Sequence, residues 1–206
     1  MSPHQDVFVF CGIDGGSDTL GLATLYVDPV TLEPIHLKSQ TFVASRMVRD
    51  PDEIRVWGDR ISRIRALEMA VFAHLQTHGA DQVGMEAPFY NPRRPNAFAA
   101  LVEVICAMRQ ASFHHRPDRS LILIDPPTVK NAVGAKGNAD KDQVKQSLLT
   151  HPRLRSVLDG AGEHWDEHSV DAAAVVWSLF LKWSPPYQRL CDPKYRIRPF
   201  SCHWSP

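Results

Sequence analysis

Hydrophobic positions along this chain alternate between short dense runs and helical spacing. Residues 7–13, Val-Phe-Val-Phe-Cys-Gly-Ile, form an apolar run that closes on Asp14 and then Gly15-Gly16. That is the pattern of a buried strand delivering one carboxylate to a turn. Glycine there is expected to let the backbone turn sharply. Residues 20–27 form a second run, so the two predict a hairpin. Residues 35–43, entered through Asp28-Pro29 and Glu33-Pro34, predict a third strand of an antiparallel meander. The charged stretch 44–57, broken by Asp50-Pro51, reads as a loop. From 59 to 77 the spacing becomes helical, with Ile61, Ile64, Leu67, Met69, Val71, Phe72 and Leu75 mostly on one face and Gly79 as the stop.

The second half repeats the strand-then-helix alternation. Residues 82–86 predict a short strand ending on Glu86, followed at once by Ala87-Pro88. A loop rich in arginine and proline leads to a helix over 96–113, with Phe98, Leu101, Val102, Ile105 and Met108 facing inward. Residues 121–124 predict a fifth strand, closed by Asp125-Pro126-Pro127. A stretch with two glycines and two lysines follows over 128–139, then a short helix over 140–149 and a loop around Pro152 and Gly160-Ala161-Gly162. The last helix runs over 167–182, with Val170, Ala174, Trp177 and Leu181 inside, and Pro185-Pro186 are expected to end it. The remainder, 187–206, carries no pattern that assigns it.

The order β-β-β-α-β-α-β-α predicts an α/β protein. Its mixed five-stranded sheet, three antiparallel strands and then two parallel ones, would be flanked by helices, which is the ribonuclease H-like fold. At 206 residues and 44% hydrophobic composition, the chain fits one domain with a real core. Residues 1–183 are expected to form it, with 184–206 as a C-terminal extension. No apolar run has the length of a membrane span. Residues 1–6 lack the basic and apolar regions of a signal peptide, so the cytoplasm is the expected location and no membrane partner is expected. Cys11, Cys106, Cys191 and Cys202 lack metal-site spacing and read as core or incidental thiols.

Formal net charge is zero, which excludes a uniformly basic surface and says nothing against local patches. Arg46, Arg49, Arg55, Arg60, Arg63 and Arg65 gather before and along the first long helix and read as a solvated face. Arg93-Arg94 follow Glu86. Lys130, Lys136, Lys141 and Lys145 surround the glycine-bearing stretch.

Candidate chemistry lies in the acids. Asp14 ends strand one and Glu86 ends strand four. In this fold those strands are parallel neighbours, so both carboxylates emerge at one end of the sheet. Asp171 lies on the last helix, and His168, three residues earlier, shares its face. Each has an ordinary reading by itself: a helix-dipole charge for Asp171, a hydrogen-bonded helix start for His168, an exposed turn for Glu86. Together they read as a metal site, because clustered carboxylates repel unless a cation joins them. Two Mg²⁺ ions about 3.5–4 Å apart activate water on one side of a phosphate and stabilise the leaving oxygen on the other. Glu167, four residues before Asp171, and Asp166 remain alternatives to His168 as the fourth ligand.

These residues also resemble a known family. Gly12-Ile13-Asp14-Gly15-Gly16-Ser17 with Gly21, then Glu86-Ala87-Pro88-Phe89, are similar to the first two motifs of RuvC-type Holliday junction resolvases. Val129-Lys130, Gly134, Gly137 and Ala139-Asp140-Lys141-Asp142-Gln143-Val144 are similar to the lysine-bearing segment. His168-Ser169-Val170-Asp171-Ala172-Ala173-Ala174 is similar to the last motif. The resemblance spans residues 7–183 with the motifs in order. It departs at Gly15, where a proline is usual, in the 133–139 loop and in the arginine-rich loop after Glu86. It also departs in the greater length at 44–57 and at the C-terminus.

The resemblance implies a homodimeric endonuclease, of a bacterium or a phage-infected cell, that nicks four-way and other branched DNA. Hydrolysis would leave 5′-phosphate and 3′-hydroxyl ends. Asp14, Glu86, His168 and Asp171 would hold two Mg²⁺ ions, with Mn²⁺ substituting, and Lys141 would stabilise charge at the scissile phosphate. Phe89 would stack on a base, and Lys130 would contact DNA with Lys141. Outside the resemblance, Arg93, Arg94 and Lys136 are expected DNA contacts by their charge and place. The alternatives are a junction-binding protein without catalysis and an actin-like ATPase or sugar kinase. The latter also opens on an Asp-bearing hairpin, but its second phosphate-cradling glycine loop is not visible here.

Overall fold

A computed structural model describes residues 7–89, 92–93, 95–158 and 161–191. The first run is strand β1 (Phe8–Gly15), hairpinned to β2 (Thr19–Val27), which leads to β3 (Pro34–Val43). Helices α1 (Ala44–Met47), α2 (Pro51–Trp57) and α3 (Asp59–His78) precede β4 (Gln82–Glu86). Then come α4 (Pro95–His115), β5 (Ile122–Ile124), α5 (Pro126–Ala132), α6 (Lys141–Thr150), a 3₁₀ turn (Ala161–His164) and α7 (Glu167–Cys191). The sheet order is β3-β2-β1-β4-β5. The β1–β2 and β2–β3 pairs are antiparallel, and the β1–β4 and β4–β5 pairs are parallel. This is the ribonuclease H-like arrangement expected from the order of elements.

Side-chain alternation along β1 and β2 sorts residues onto two faces. Cys11, Ile13, Leu20 and Leu22 point toward α3 and α4 and pack with Leu67, Val71, Val104 and Met108. Phe10, Ala23, Leu25 and Val27 point toward α7 and pack with Val176, Trp177 and Phe180. Helix α7 is buried on nearly all sides from Val170 to Phe180, because the sheet covers one flank and α5 and α6 the other. Trp183 closes the far end with edge-on contacts to Phe8 and Phe10.

Several expectations are corrected. The 44–57 stretch holds two short helices rather than a loop. Asp50 caps α2, its carboxylate accepting from the Asp52 N–H at 2.9 Å, with Pro51 at the first helical position where its missing N–H costs nothing. Asp125-Pro126 works the same way: the Asp125 carboxylate accepts from the Thr128 N–H at 3.0 Å and starts α5. Pro185-Pro186 do not end α7, which continues to Cys191. The prolines lie beyond the buried stretch, where carbonyls left without a helical partner can bond water. On α3, Ile61 and Met69 are exposed, as is Val102 on α4, while Ile64, Leu67, Val71 and Leu75 carry the α3 contact with the core. Cys106 is exposed, and Cys11 is buried, with its thiol pushed up to about 12 by burial. Among the described residues no helix is long and apolar enough to cross a membrane.

Candidate active site

Asp14 and Glu86 meet because of register and parity. Ile13 pairs with Met85 in the parallel β1–β4 ladder, so Asp14 and Glu86 follow on adjacent strands. Asp14 lies two residues beyond Gly12, and Glu86 two beyond Gly84. Both glycines face α7, where an added Cβ would meet Val176 and Leu179 respectively. Both carboxylates therefore leave the sheet on the α7 side at one end.

Glycines bring α7 down onto that end. Across the hairpin, Asp14 pairs with Gly21. A Cβ on Gly21 would run into the backbone carbonyl of His168, and a Cβ on Gly12 would lie 2.6 Å from the Ala172 carbonyl oxygen. The first turns of α7 thus rest directly on bare backbone. Hydrogen bonds hold them there. Asp166 caps α7, accepting from the Ser169 N–H at 2.9 Å and from the Thr41 hydroxyl at 2.6 Å. The Ser39 hydroxyl donates to the Ser169 carbonyl at 2.7 Å. The result is a direct contact between His168 Nδ1 and Asp14 Oδ2 at 2.8 Å.

The acids act on one another through charge. Burial, then the charges of Asp14 and Asp171, push the Glu86 carboxyl up to about 7. Burial, then Asp14, push Asp171 up to about 6. The hydrogen bond to Asp14 raises His168. Lys141 opens α6, whose start is fixed by a reciprocal Asp140–Gln143 capping box. Its Nζ lies 2.6 Å from Glu167 Oε2, and Glu167 Oε1 lies 3.6 Å from His168 Nε2. The Glu167 hydrogen bond raises Lys141, and the Lys141 charge offsets part of the rise at Glu86 and Asp171. Lys130 also offsets part of the rise at Glu86, while its Nζ donates to the Ala139 carbonyl at 2.7 Å.

Of the residues singled out in the sequence, Asp14, Glu86, His168, Asp171, Lys130 and Lys141 come together. Phe89 stands at the edge of the site, 74% exposed. Arg93 and Lys136 are exposed, on the β4–α4 and α5–α6 connections. Arg94 lies outside the described residues. Asp166 is occupied as a cap and Glu167 by Lys141. The roles of Gly12, Gly21, Ser39 and Thr41 were not foreseen. Gly15 and Gly16 do not adopt the left-handed backbone that a sharp glycine turn would need. Gly15 instead makes room for Met85, whose methyl a Cβ would strike.

Among the described residues no three His, Cys, Asp or Glu side chains are arranged to hold a metal ion as they stand. The donor chemistry nevertheless fits a hard divalent cation. The site offers three carboxylates and an imidazole, and two of the carboxyls are held above their ordinary range by burial and mutual repulsion, which a cation would relieve.

No protein-family model matches the chain, and no curated protein does. Solved structures do. The chain is similar to T. thermophilus RuvC in complex with a Holliday junction substrate, at 21% identity over 85% of this chain and 95% of that one, with a TM-score of 0.60. A second Thermus thermophilus RuvC structure matches at 23% identity over the same shares, with a TM-score of 0.55. The yeast mitochondrial Holliday junction resolvase Ydc2 matches at 15% identity over 91% and 83% of the two chains, with a TM-score of 0.53. At these identities the likeness establishes a shared fold.

Proposed function

We propose that this chain is a divalent-cation-dependent endodeoxyribonuclease that nicks Holliday junctions and other branched DNA, leaving 5′-phosphate and 3′-hydroxyl ends. The observation that carries the reading is the convergence of Asp14, Glu86 and Asp171, acids far apart in sequence, at one end of the sheet with Lys130 and Lys141 beside them. The likeness to T. thermophilus RuvC bound to a Holliday junction substrate and to the yeast mitochondrial Holliday junction resolvase Ydc2 supports the choice of substrate.

Asp14, Glu86, Asp171 and His168 would hold Mg²⁺, two ions per site, with Mn²⁺ able to replace it. When bound, the ions supply the charge that activates water and stabilises the leaving oxygen. The remaining work falls to the chain. Lys141 lies where it can meet negative charge building on a phosphate, and Lys130 supports it. Phe89 offers a face for a base, and Arg93, Arg94 and Lys136 would follow the backbone. His168 and the α7 contacts hold Asp14 and Asp171 at fixed positions. Residues 1–183 would form the nuclease domain, and a homodimer would suit a substrate with two-fold symmetry.

The test is an assay of pure protein on labelled four-way, three-way, nicked and linear DNA with Mg²⁺, Mn²⁺ or Ca²⁺. Ligatable nicks in branched DNA, lost in Asp14→Asn while binding survives, are the expected result. Retarded bands without nicks would favour a binding protein instead, and equal cutting by Asp14→Asn would remove the site assignment.

A further inference from the structure

The two lysines beside the acids are held in different ways. Lys130 Nζ donates to the Ala139 carbonyl at 2.7 Å, a backbone anchor on the α5–α6 connection. Lys141 has no such anchor. Its side chain is 61% exposed on a flexible four-carbon stem, and among the described residues the one acceptor its ammonium meets is Glu167 Oε2 at 2.6 Å. Both members of this pair start from fixed backbone. Lys141 is the first residue of α6, behind the Asp140–Gln143 capping box. Glu167 is the first residue of α7, behind Asp166, which is held by the Thr41 hydroxyl and the Ser169 N–H. The second Glu167 oxygen, Oε1, lies 3.6 Å from His168 Nε2. Glu167 thus ties the loose end of Lys141 to the helix that carries His168 and Asp171. After the Glu167 hydrogen bond, the charges of Asp171 and Asp14 also raise Lys141, so the tied ammonium stands within range of the acids. Glu167 lies just outside the segment similar to the last resolvase motif, which begins at His168.

We infer that Glu167 is a positioning residue, which holds the Lys141 ammonium beside the acids both before and while a phosphate is bound. The inference rests on the nuclease reading, in which Lys141 meets charge building on the scissile phosphate. An ammonium has three donors. Glu167 takes one and leaves two for phosphate oxygens, so the tie survives the arrival of DNA. A donor fixed in advance needs no reorganisation at the moment of reaction, whereas an untied lysine must first give up its rotamer freedom. Charge alone predicts the opposite sign. Removing a carboxylate from beside a polyanion should help DNA to bind and to be cut, so the direction of the effect decides between the two.

The test measures kcat and KM of the full chain on a four-way junction at saturating Mg²⁺. Glu167→Ala should lower kcat about 3- to 10-fold and leave KM within about 2-fold, a loss between the worth of an exposed ion pair and the ordering of a lysine stem. Glu167→Gln, which keeps an acceptor oxygen, should recover most of that loss. In a Lys141→Met background, Glu167→Ala should lower kcat no further, and the number of bound Mn²⁺ ions should match that of the wild-type protein. Both Glu167 variants change an exposed side chain and should melt like the wild type. A kcat that stays the same or rises in Glu167→Ala would overturn the inference and leave the nuclease intact. An equal loss with and without Lys141 would also overturn it, because Glu167 would then act on the acids or their cations instead. A wild-type protein that cuts no branched DNA would remove the nuclease reading and the inference with it.

Discussion

Gly21→Ala is the most informative change outside the ionisable residues. The new methyl would fall on the backbone carbonyl of His168, 2.5 Å from its carbon and 3.2 Å from the Ala172 methyl. Side-chain Cβ atoms essentially never approach closer than 3.0 Å, and the nearest obstacle is the His168 carbonyl oxygen, so the first turn of α7 must retreat by about 1 Å or more. That retreat draws His168 and Asp171 away from Asp14. Misplacement on the order of 1 Å at a catalytic constellation costs about 100-fold in rate, so a 10- to 100-fold loss is expected, with about 1–3 kcal/mol of destabilisation from overpacking. Single-turnover cleavage of a four-way junction at saturating protein and Mg²⁺ isolates the rate, and junction affinity in Ca²⁺ should change far less. Gly84→Ala is the comparison. Its methyl meets only the Leu179 side chain at 3.2–3.4 Å, which can yield, so its loss should be much smaller. A folded Gly21→Ala protein that cuts at the wild-type rate would show that close seating of α7 is not what aligns the acids.

Two further predictions concern protons. Glu86 and Asp171 sit at about 7 and about 6 without a cation, so protons compete with metal there. At limiting Mg²⁺ the cleavage rate should climb as pH rises through 6 to 8, and the climb should flatten at high Mg²⁺; a profile independent of Mg²⁺ concentration would contradict the competition. His74 is pushed down to about 4 by burial, its Nε2 2.6 Å from the Thr24 hydroxyl and its Nδ1 accepting from the Gln40 amide at 3.2 Å. A histidine with a lowered folded pKa stabilises the fold above its unfolded pKa of about 6.5, and that stability drains away as pH falls toward 4. After discounting for partial exposure, about 1–2 kcal/mol should be lost in that window, and His74→Gln should flatten the fall in melting temperature.

Much of this site was legible in the chain because it is written at strand ends. An apolar run that stops on one acid and then breaks is a local signal, and Asp14 and Glu86 both carry it. Sheet order then follows from the order of elements. Asp-Pro pairs were misread for a physical reason. Proline before a helix and proline after a strand look alike in sequence, and only the capping bonds of Asp50 and Asp125 tell them apart. Gly12 and Gly21 are legible as part of a motif but not for what they do, since the need for a missing side chain appears only when a distant helix lies on top of it. The pairing of Lys141 with Glu167 was likewise hidden, because it joins two helix starts whose separation only the fold sets.

The convergence of acids is tested most directly by counting bound Mn²⁺ with electron paramagnetic resonance in the wild-type protein and in Asp14→Asn, Glu86→Gln and Asp171→Asn. Two ions per chain are expected, with at least one lost from each neutralised variant. A count that stays the same when any one of those acids is neutralised would contradict a shared site.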